Sequence, residues 1–280
     1  MLIAQITDTH ISTLGSFNDR SLRTADHLER AVAHLNALVP RPDVVVATGD
    51  LVERGQPEEY VRFSQIVRAL EPPLFVVPGN HDGRAALAEA FGLSLVGGFV
   101  LYTVERFPVR LIALDTHVPG AAGGSLCLDR LTWLDARLSE QPERPTVVFM
   151  HHPPFPIGIP ALDAMGLDGS DALATVIARH PQVERVICGH AHRPITRRFA
   201  GTIASVGPAT AHQLALELAP SPRLGVVMEP PACTLHLWDG RALVTHTSPI
   251  ATGRPVHVVF DGTTWNTDGA PPPGFHPPGW

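Results

Sequence analysis

The segment Val44-Val45-Val46-Ala47-Thr48-Gly49-Asp50 joins a β-branched apolar run, which favours a buried strand, to a glycine and a carboxylate at its carboxyl end. The same arrangement recurs upstream, where Asp8 follows the apolar run Leu2–Ile6, and downstream, where a Pro-Gly pair ends the run Leu74–Val77. Amphipathic segments with helical spacing separate these runs. Strands that alternate with helices predict an α/β layered domain.

The alternation continues to about residue 194. The predicted helices are Leu28–Leu38, Glu58–Leu70, Arg84–Phe91, Leu128–Leu138 and Asp171–Arg179. The further predicted strands are Val100–Val104, Arg110–Leu114, Thr146–Met150 and Val183–Cys188. Beyond residue 194 we expect strands that close a second sheet, at Ile195–Phe199, Thr202–Val206, Val226–Met228, Thr234–Trp238 and Leu243–Thr247. The sequence therefore predicts one domain over 1–250, followed by a C-terminal strand and a Pro-rich tail over 251–280.

The composition is that of a folded protein with an acidic balance: 44% of the 280 residues are hydrophobic and the net charge is -6. All 21 basic residues are arginines, which excludes Schiff-base chemistry, lysine nucleophiles and a P-loop lysine. The net negative charge disfavours binding to a nucleic-acid polymer or an anionic membrane. Three widely spaced cysteines (Cys127, Cys188 and Cys233) do not suggest disulfides, and no apolar run is long enough to span a membrane, so we expect a cytoplasmic protein.

Metal-binding side chains stand at the carboxyl ends of five predicted strands, where the loops of an α/β sheet converge and ligands bind. The candidate donors are Asp8, His10, Asp50, Asn80, His151, His190 and His192. These seven donors exceed the roughly three protein ligands of a mononuclear catalytic zinc, whereas two adjacent ions that share a carboxylate would use them all. Imidazoles and carboxylates without a thiolate suit Fe, Mn, Zn or Co.

These motifs resemble those of the calcineurin-like metallophosphoesterases. The matching segments are Asp8-Thr9-His10, Gly49-Asp50, Gly79-Asn80-His81-Asp82, the block around His151, and Gly189-His190-Ala191-His192. Within that family the chain is similar to the bacterial class III cyclic-nucleotide phosphodiesterases and the related glycerophosphodiesterases. Met-His-His-Pro-Pro at 150–154 and Ala-His-Gln at 211–213 look similar to the glycerophosphodiesterases. The resemblance implies a four-layer αββα sandwich with a β-rich C-terminal part.

The resemblance also implies how the donors divide between two transition-metal ions. One ion would be held by Asp8, His10, Asp50 and His192. The second would be held by Asn80, His151 and His190, with Asp50 bridging the two. The ions would activate a water as the hydroxide nucleophile and draw charge from the phosphoryl oxygens.

The resemblance implies that Asp50 and His81 are the catalytic residues. Asp50 would bridge the two ions, and His81 would contact the phosphate and assist the leaving group. Asn80, His81 and His212 would bind the substrate. For His212, the residues alone allow a core histidine equally well.

Other polar residues near the motifs have ordinary structural interpretations. His152 should pack or hydrogen-bond behind the site, because successive strand residues point to opposite faces. Asp82 should hydrogen-bond behind the metal-bound histidines. Arg54 and Arg84 could orient a phosphate, but we expect surface positions for both.

The sequence therefore predicts a dinuclear metal-dependent phosphodiesterase that acts on small diesters, either 3',5'-cyclic nucleotides or glycerophosphodiesters. The alternative is a phosphomonoesterase of the same fold; a non-catalytic scaffold is disfavoured because every ligand is intact.

We expect the segment from Ser12 to Arg23 and the region of His212 to cap the pocket, which favours small diesters over DNA. Apolar side chains beyond the apparent core predict a homodimer or a larger homo-oligomer; they are Trp238, Phe260, Trp265 and Trp280.

Overall fold

The fold is described for residues 1–250 by a computed structural model. The C-terminal strand and Pro-rich tail predicted over 251–280 lie outside the described residues, as does the boundary proposed at residue 250. No helix in the described part is both long and apolar enough to cross a membrane.

Helices form where apolar side chains recur on one face. In α1 (Thr24–Ala37), for example, Leu28, Val32 and Leu35 are buried. The other helices are α2 (Pro57–Val67), α3 (Arg84–Phe91), α4 (Leu128–Ser139), the short α5 (Pro160–Asp163) and α6 (Ser170–Ala178), and a turn of π-helix (Asn18–Leu22) precedes α1. The predicted α1 and α2 run too long at Leu38 and Leu70. Pro40 keeps the residue before it out of the helical conformation and so limits α1. After α2 the chain continues through Leu70 as a tighter turn, in which Leu70 N–H donates to the Val67 carbonyl.

Two main sheets carry the strands. The first sheet contains β1 (Leu2–Ile6), β2 (Val44–Ala47), β3 (Leu74–Val76), β14 (Ala232–Trp238) and β15 (Leu243–Pro249), in the order β15-β14-β1-β2-β3. The second sheet contains β4 (Leu101–Val104), β5 (Arg110–Leu114), β7 (Thr146–Phe149), β9 (Val183–Cys188), β10 (Ile195–Phe199) and β11 (Thr202–Val206), in the order β10-β11-β9-β7-β5-β4. Two short pairs join β6 (Gly124–Ser125) to β8 (Leu167–Asp168) and β12 (Gln213–Leu214) to β13 (Val226–Val227).

The strands that carry the metal-binding motifs are parallel within each sheet. β1, β2 and β3 run in one direction in the first sheet, and β5, β7, β9 and β11 share a direction in the second. Their carboxyl ends therefore lie along one edge of each sheet, which is where an α/β fold places a site.

The core has three apolar layers, and β2 shows how they arise. Alternate side chains of a strand point to opposite faces. Val44 and Val46 pack in the layer between the sheets, with Phe149 of the second sheet. Val45 and Ala47 pack on the other side, against α1 and α2. A third layer lies between the second sheet and helices α4 and α6. The αββα sandwich expected from the family resemblance is confirmed.

The late strands are distributed differently from the prediction. They were expected to close a single second sheet, but β10 and β11 extend the second sheet while β14 and β15 extend the first beside β1. The reason is that strand pairing is a long-range choice: β14 pairs antiparallel with β1 from more than two hundred residues away, and no local pattern encodes that partner.

Candidate metal centre

The two sheets bring their motif-bearing edges together. His151, at the end of β7, donates through Nδ1 to the carbonyl of Thr48 at the end of β2, with a separation of 2.8 Å. His190 follows β9, and Asp8 follows β1. The backbone N–H of His190 donates to Asp8 Oδ1 at a distance of 3.0 Å. These cross-sheet bonds place donors from both sheets around one small volume.

Four of the predicted ligands surround one point. His10 Nε2 lies 3.1 Å from His192 Nε2 and 3.7 Å from Asp50 Oδ2. His192 Nε2 in turn lies 3.5 Å from Asp8 Oδ1. All four side chains are buried. The structure thus brings together the set that the resemblance assigns to the first ion.

The second predicted set lies beside the first, on the other side of Asp50. His151 Nε2 is 3.4 Å from Asp50 Oδ2 and 3.1 Å from Asn80 Oδ1. His190 Nδ1 is 3.0 Å from the same Asn80 oxygen. Asp50 Oδ2 therefore faces His10 of the first set and His151 of the second, the position that a bridging carboxylate would occupy.

The hydrogen bonds fix which ring nitrogens can bind a cation. His10 donates through Nδ1 to Glu53 at 2.8 Å, and His192 donates through Nδ1 to the carbonyl of His212 at 3.1 Å. Each Nε2 then carries a lone pair, and the two lone pairs face each other beside two carboxylates. Such an arrangement is stable only with a cation between them, either a proton or a metal ion, and a distal N–H donated to an oxygen is the usual support of a metal-binding histidine. The donor set fits divalent metal ions.

The charges of the site favour cations in the same way. Burial alone would lower the pKa of His10, but the hydrogen bond that His10 donates to Glu53 and the charges of Asp50 and Glu53 raise it to about 9. Burial would also lower the pKa of His151. The charge of Asp50 and its hydrogen bond with His151 outweigh burial and raise this pKa to about 9. Burial acts to raise the pKa of Asp50. The imidazoles of His151 and His10 outweigh this effect and hold the pKa of Asp50 well below its ordinary value. A divalent ion would compete with protons for these imidazole and carboxylate groups.

The backbone at the ligands is in a conformation that non-glycine residues seldom adopt. Five ligands have φ between 45° and 72°, in the left-handed region: Asp8, His10, Asp50, His190 and His192. Such strain persists only where the surrounding structure enforces it, and it is concentrated at functional sites. The neighbouring Gly79 is required as glycine, because a Cβ there would collide with the Asp50 carboxylate.

His81 borders the site without joining either ligand set. Its backbone N–H donates to Asp50 Oδ1 at 2.8 Å, and its Nδ1 donates to the carbonyl of Glu53 at 2.9 Å. The ring is half-buried and lines the cavity above the two ligand sets. Its Nε2 is therefore the nitrogen available to a substrate.

Asp82 and Glu53 support the ligands from behind. Asp82 is buried and accepts hydrogen bonds from the backbone N–H groups of Leu51, Val52 and Gly79 and from the Tyr60 hydroxyl. It therefore ties the loop after β2 to the loop after β3. Sequence analysis missed Glu53, although its place three residues after Asp50, on the same strand-end loop, is a usable signal.

The remaining predicted residues fall in distinct places. His212 is buried with its ring 4.8 Å from that of His192, and it lines the cavity. His152 is buried behind the site: its Nδ1 lies 2.8 Å from Thr116 Oγ1, and its ring packs against those of His151 and His190. Arg54 is exposed, as expected.

The surface position expected for Arg84 is wrong. Its guanidinium is half-buried and bonds the buried Asp115 carboxylate, with Nε–Oδ2 at 2.6 Å, and the carbonyl of His117. Asp115 follows β5, a parallel strand whose end carries no predicted ligand. The partner of Arg84 is distant in sequence, so its burial was not foreseeable from local pattern.

Five of the seven predicted ligands form the floor of a cavity of about 260 Å³: His10, Asp50, Asn80, His190 and His192. Phe17, Asn18 and Leu22, from the segment expected to cap the pocket, lie in its wall, and so does Leu214 beyond His212. The cavity can therefore take a small molecule directly above the ligand sets.

Comparisons with known proteins agree with this architecture. The sequence profile of the calcineurin-like phosphoesterases matches residues 1–194. The chain is 36% identical over 262 residues to a protein of Arcobacter nitrofigilis named probable glycerophosphodiester phosphodiesterase GpdQ, covering 89% of this chain and 93% of that protein. It is 33% identical over 217 residues to 3',5'-cyclic adenosine monophosphate phosphodiesterase CpdA of Escherichia coli, covering 75% of this chain and 76% of the relative.

The fold is shared with a solved structure, a dimetal phosphatase from Danio rerio. The two superpose with a TM-score of 0.68 at 18% identity, covering 90% of this chain and 96% of the phosphatase. At this level of identity the likeness shows a shared fold, whereas the profile match and the sequence relatives show the family. The chain therefore belongs to the calcineurin-like phosphoesterase family.

Proposed function

We propose that the chain is a dinuclear metal-dependent phosphodiesterase that cleaves small phosphodiesters in the cytoplasm. The observation that carries the proposal is the pair of ligand sets on either side of Asp50, whose Oδ2 lies 3.7 Å from His10 Nε2 and 3.4 Å from His151 Nε2. Fe, Mn, Zn and Co are the ions that suit these donors. Three cysteines without a disulfide are in keeping with a reducing compartment.

The protein residues have separate tasks in this reaction. When bound, two metal ions lower the pKa of a water and neutralise the phosphoryl oxygens. Asp50 and Asn80 fix the spacing of the two ligand sets. Glu53 holds His10 through Nδ1, so that Nε2 stays directed at the site.

His81 would act on the substrate rather than on a metal. Its Nδ1 is held by the Glu53 carbonyl, and the Glu53 carboxylate is 3.8 Å from the same nitrogen. With Nδ1 fixed, Nε2 would donate a proton to the departing alcohol oxygen or a hydrogen bond to a phosphoryl oxygen.

Two relatives support diester cleavage but differ in substrate. The Arcobacter relative is named for glycerophosphodiesters and the Escherichia coli relative for 3',5'-cyclic adenosine monophosphate. Both substrates are small and carry one phosphodiester. We propose this class of substrate for the chain. The residues on the cavity floor are equally compatible with a glycerophosphodiester and with a cyclic nucleotide.

A substrate panel tests the proposal. The protein is loaded with Mn, Fe, Zn or Co and assayed on cyclic AMP, glycerophosphocholine, bis(4-nitrophenyl) phosphate, 4-nitrophenyl phosphate and a DNA oligonucleotide. We expect the diesters to be cleaved faster than the monoester and the DNA, and a chelator to abolish the activity. A preference for the monoester would establish the phosphomonoesterase alternative instead, and comparable rates on DNA would refute the restriction to small substrates.

A further inference from the structure

The wall of the cavity differs in chemistry from its floor. The floor consists of five of the predicted ligands, with His81 and His212; the five are His10, Asp50, Asn80, His190 and His192. Asn18 and Glu53 also line the cavity, but most of the wall is apolar. Its main apolar members come from three separate segments: Phe17, Leu22, Met165, Leu214, Leu224 and Val226. A polar floor under an apolar wall is the usual form of a site that binds a ligand with one charged and one apolar part.

Two of the wall residues are paired by the sheet. Leu214 of β12 lies directly opposite Val226 of β13 in an antiparallel pair, so their side chains share a face. Leu214 is buried, whereas Val226 is 50% exposed and Leu224 is 46% exposed. The pair β12–β13 therefore presents an apolar surface that is only partly covered.

Three exposed apolar side chains of the described residues line this cavity: Phe17, Leu224 and Val226. Of fourteen large exposed apolar residues, seven lie in two short segments, at 14–17 and 216–228, which supply wall residues. Isolated exposed apolar residues need no explanation, but a contiguous group beside a cleft marks a binding surface. The two chain segments that supply exposed wall residues are thus the ones richest in exposed apolar side chains.

Positive side chains are missing from the wall. None of the arginines in the described part of the chain lines the cavity. Three arginines on neighbouring elements are paired: Arg62 with Asp19, Arg84 with Asp115, and Arg193 with Glu229. A dianionic phosphomonoester or a polyanion would find no arginine there to bind its additional charge.

We propose that this apolar wall selects phosphodiesters that carry one negative charge and an apolar alkyl or aryl substituent, which packs against Leu214, Leu224 and Val226 while the phosphate lies over the floor. The inference rests on the proposed phosphodiesterase function and names its preferred substrate class. The wall acts on the retained or departing substituent and not on the phosphate.

A series of alkyl 4-nitrophenyl phosphates tests the inference, because the leaving group and charge stay constant while the alkyl group grows from methyl to butyl to hexyl. Each methylene moved from water onto an apolar wall can raise kcat/KM by up to about fourfold. We expect kcat/KM to rise from methyl to hexyl in the metal-loaded wild-type protein. In Leu224→Ser and Val226→Ser the hexyl-to-methyl ratio should fall.

A matched control is available on the outer pair of the first sheet. Val244 of β15 is 45% exposed and stands opposite Leu237 of β14 in an antiparallel pair, but it does not line the cavity. Val244→Ser should therefore keep the wild-type ratio. Light scattering on all variants separates substrate binding from self-association through the same residues.

The outcomes are distinguishable. Hydrolysis of the methyl ester with no rise along the series would overturn the apolar selection and leave the phosphodiesterase proposal intact. A rise that survives Leu224→Ser and Val226→Ser, or that Val244→Ser removes equally, would also overturn it. Failure to cleave any diester of the series with any metal would refute the proposed function itself.

Discussion

His81 is the residue whose role can be separated most cleanly from metal binding. It lines the cavity, but its ring nitrogen Nδ1 is held by a backbone carbonyl, and it belongs to neither ligand set. His81→Ala should therefore keep both metals and slow the reaction. General acid catalysis is worth roughly 10²- to 10⁴-fold, so the loss should be largest for diesters with poor leaving groups.

The measurement compares an alkyl diester with an aryl diester, in wild type and in His81→Ala, at equal metal content. An aryl group departs without protonation, and its rate should fall less. If the ratio of the two rates is unchanged, His81 is not the acid and serves at most to position the phosphate.

Asp50 and His10 make a second comparison at the residue scale. Asp50 faces both ligand sets, whereas His10 faces only one. Asp50→Ala should lower the content of both ions and the activity more than His10→Ala does. Elemental analysis of the two variants checks this, and an equal loss of metal would argue against a bridging carboxylate.

The sequence pointed to the candidate ligands and to Asp82 and His152 behind them, but not to the partners of His10 and Arg84, for a physical reason. A strand followed by Asp, Asn or His is a local pattern, and parallel strands bring such ends together. The hydrogen bond from His10 to Glu53 and the ion pair of Arg84 with Asp115 join residues that are 43 and 31 positions apart. No local spacing specifies those partners.

At the scale of elements, Asp82 ties three of them together. Its carboxylate accepts two N–H groups from the loop after β2, one from the loop after β3, and the Tyr60 hydroxyl of α2. Asp82→Asn removes acceptor capacity and leaves at least one buried donor unpaired, a loss of about 1–3 kcal/mol for each such group.

We therefore expect Asp82→Asn to lower the urea midpoint of the metal-free protein and also to weaken metal binding, because Asp50 and Asn80 stand on the two loops. Tyr60→Phe is the matched control, since it removes one hydroxyl and keeps the carboxylate, and its effect should be smaller. An Asp82→Asn protein with wild-type stability and metal affinity would contradict this view of the loops.

The elements themselves were predictable where the pattern was local. The central strands and helices appear within a few residues of their predicted bounds, since β-branched runs and helical spacing are properties of short segments. The assignment of the late strands to sheets was wrong, because a late strand can pair with whichever sheet edge the earlier strands leave open. The edge beside β1 accepts β14, and the edge beside β9 accepts β11.

At the scale of the whole molecule, self-association remains a prediction. Trp238 no longer supports it strongly, because this side chain packs partly buried against the layer between the sheets. Phe260, Trp265 and Trp280 lie outside the described residues. Exposed Leu237 and Val244 on the outer pair of the first sheet still offer an apolar face. We expect a homodimer or larger by light scattering at micromolar concentration, and a monomer there would refute it.

The central claim is that two metal ions share Asp50, and direct counting of the ions is its sharpest test. Protein stripped with a chelator is titrated with Mn, Fe, Zn or Co, and bound metal and diesterase activity are followed together. We expect about two ions per chain at saturation, with full activity only when both are bound. Saturation at one ion per chain with full activity would contradict it.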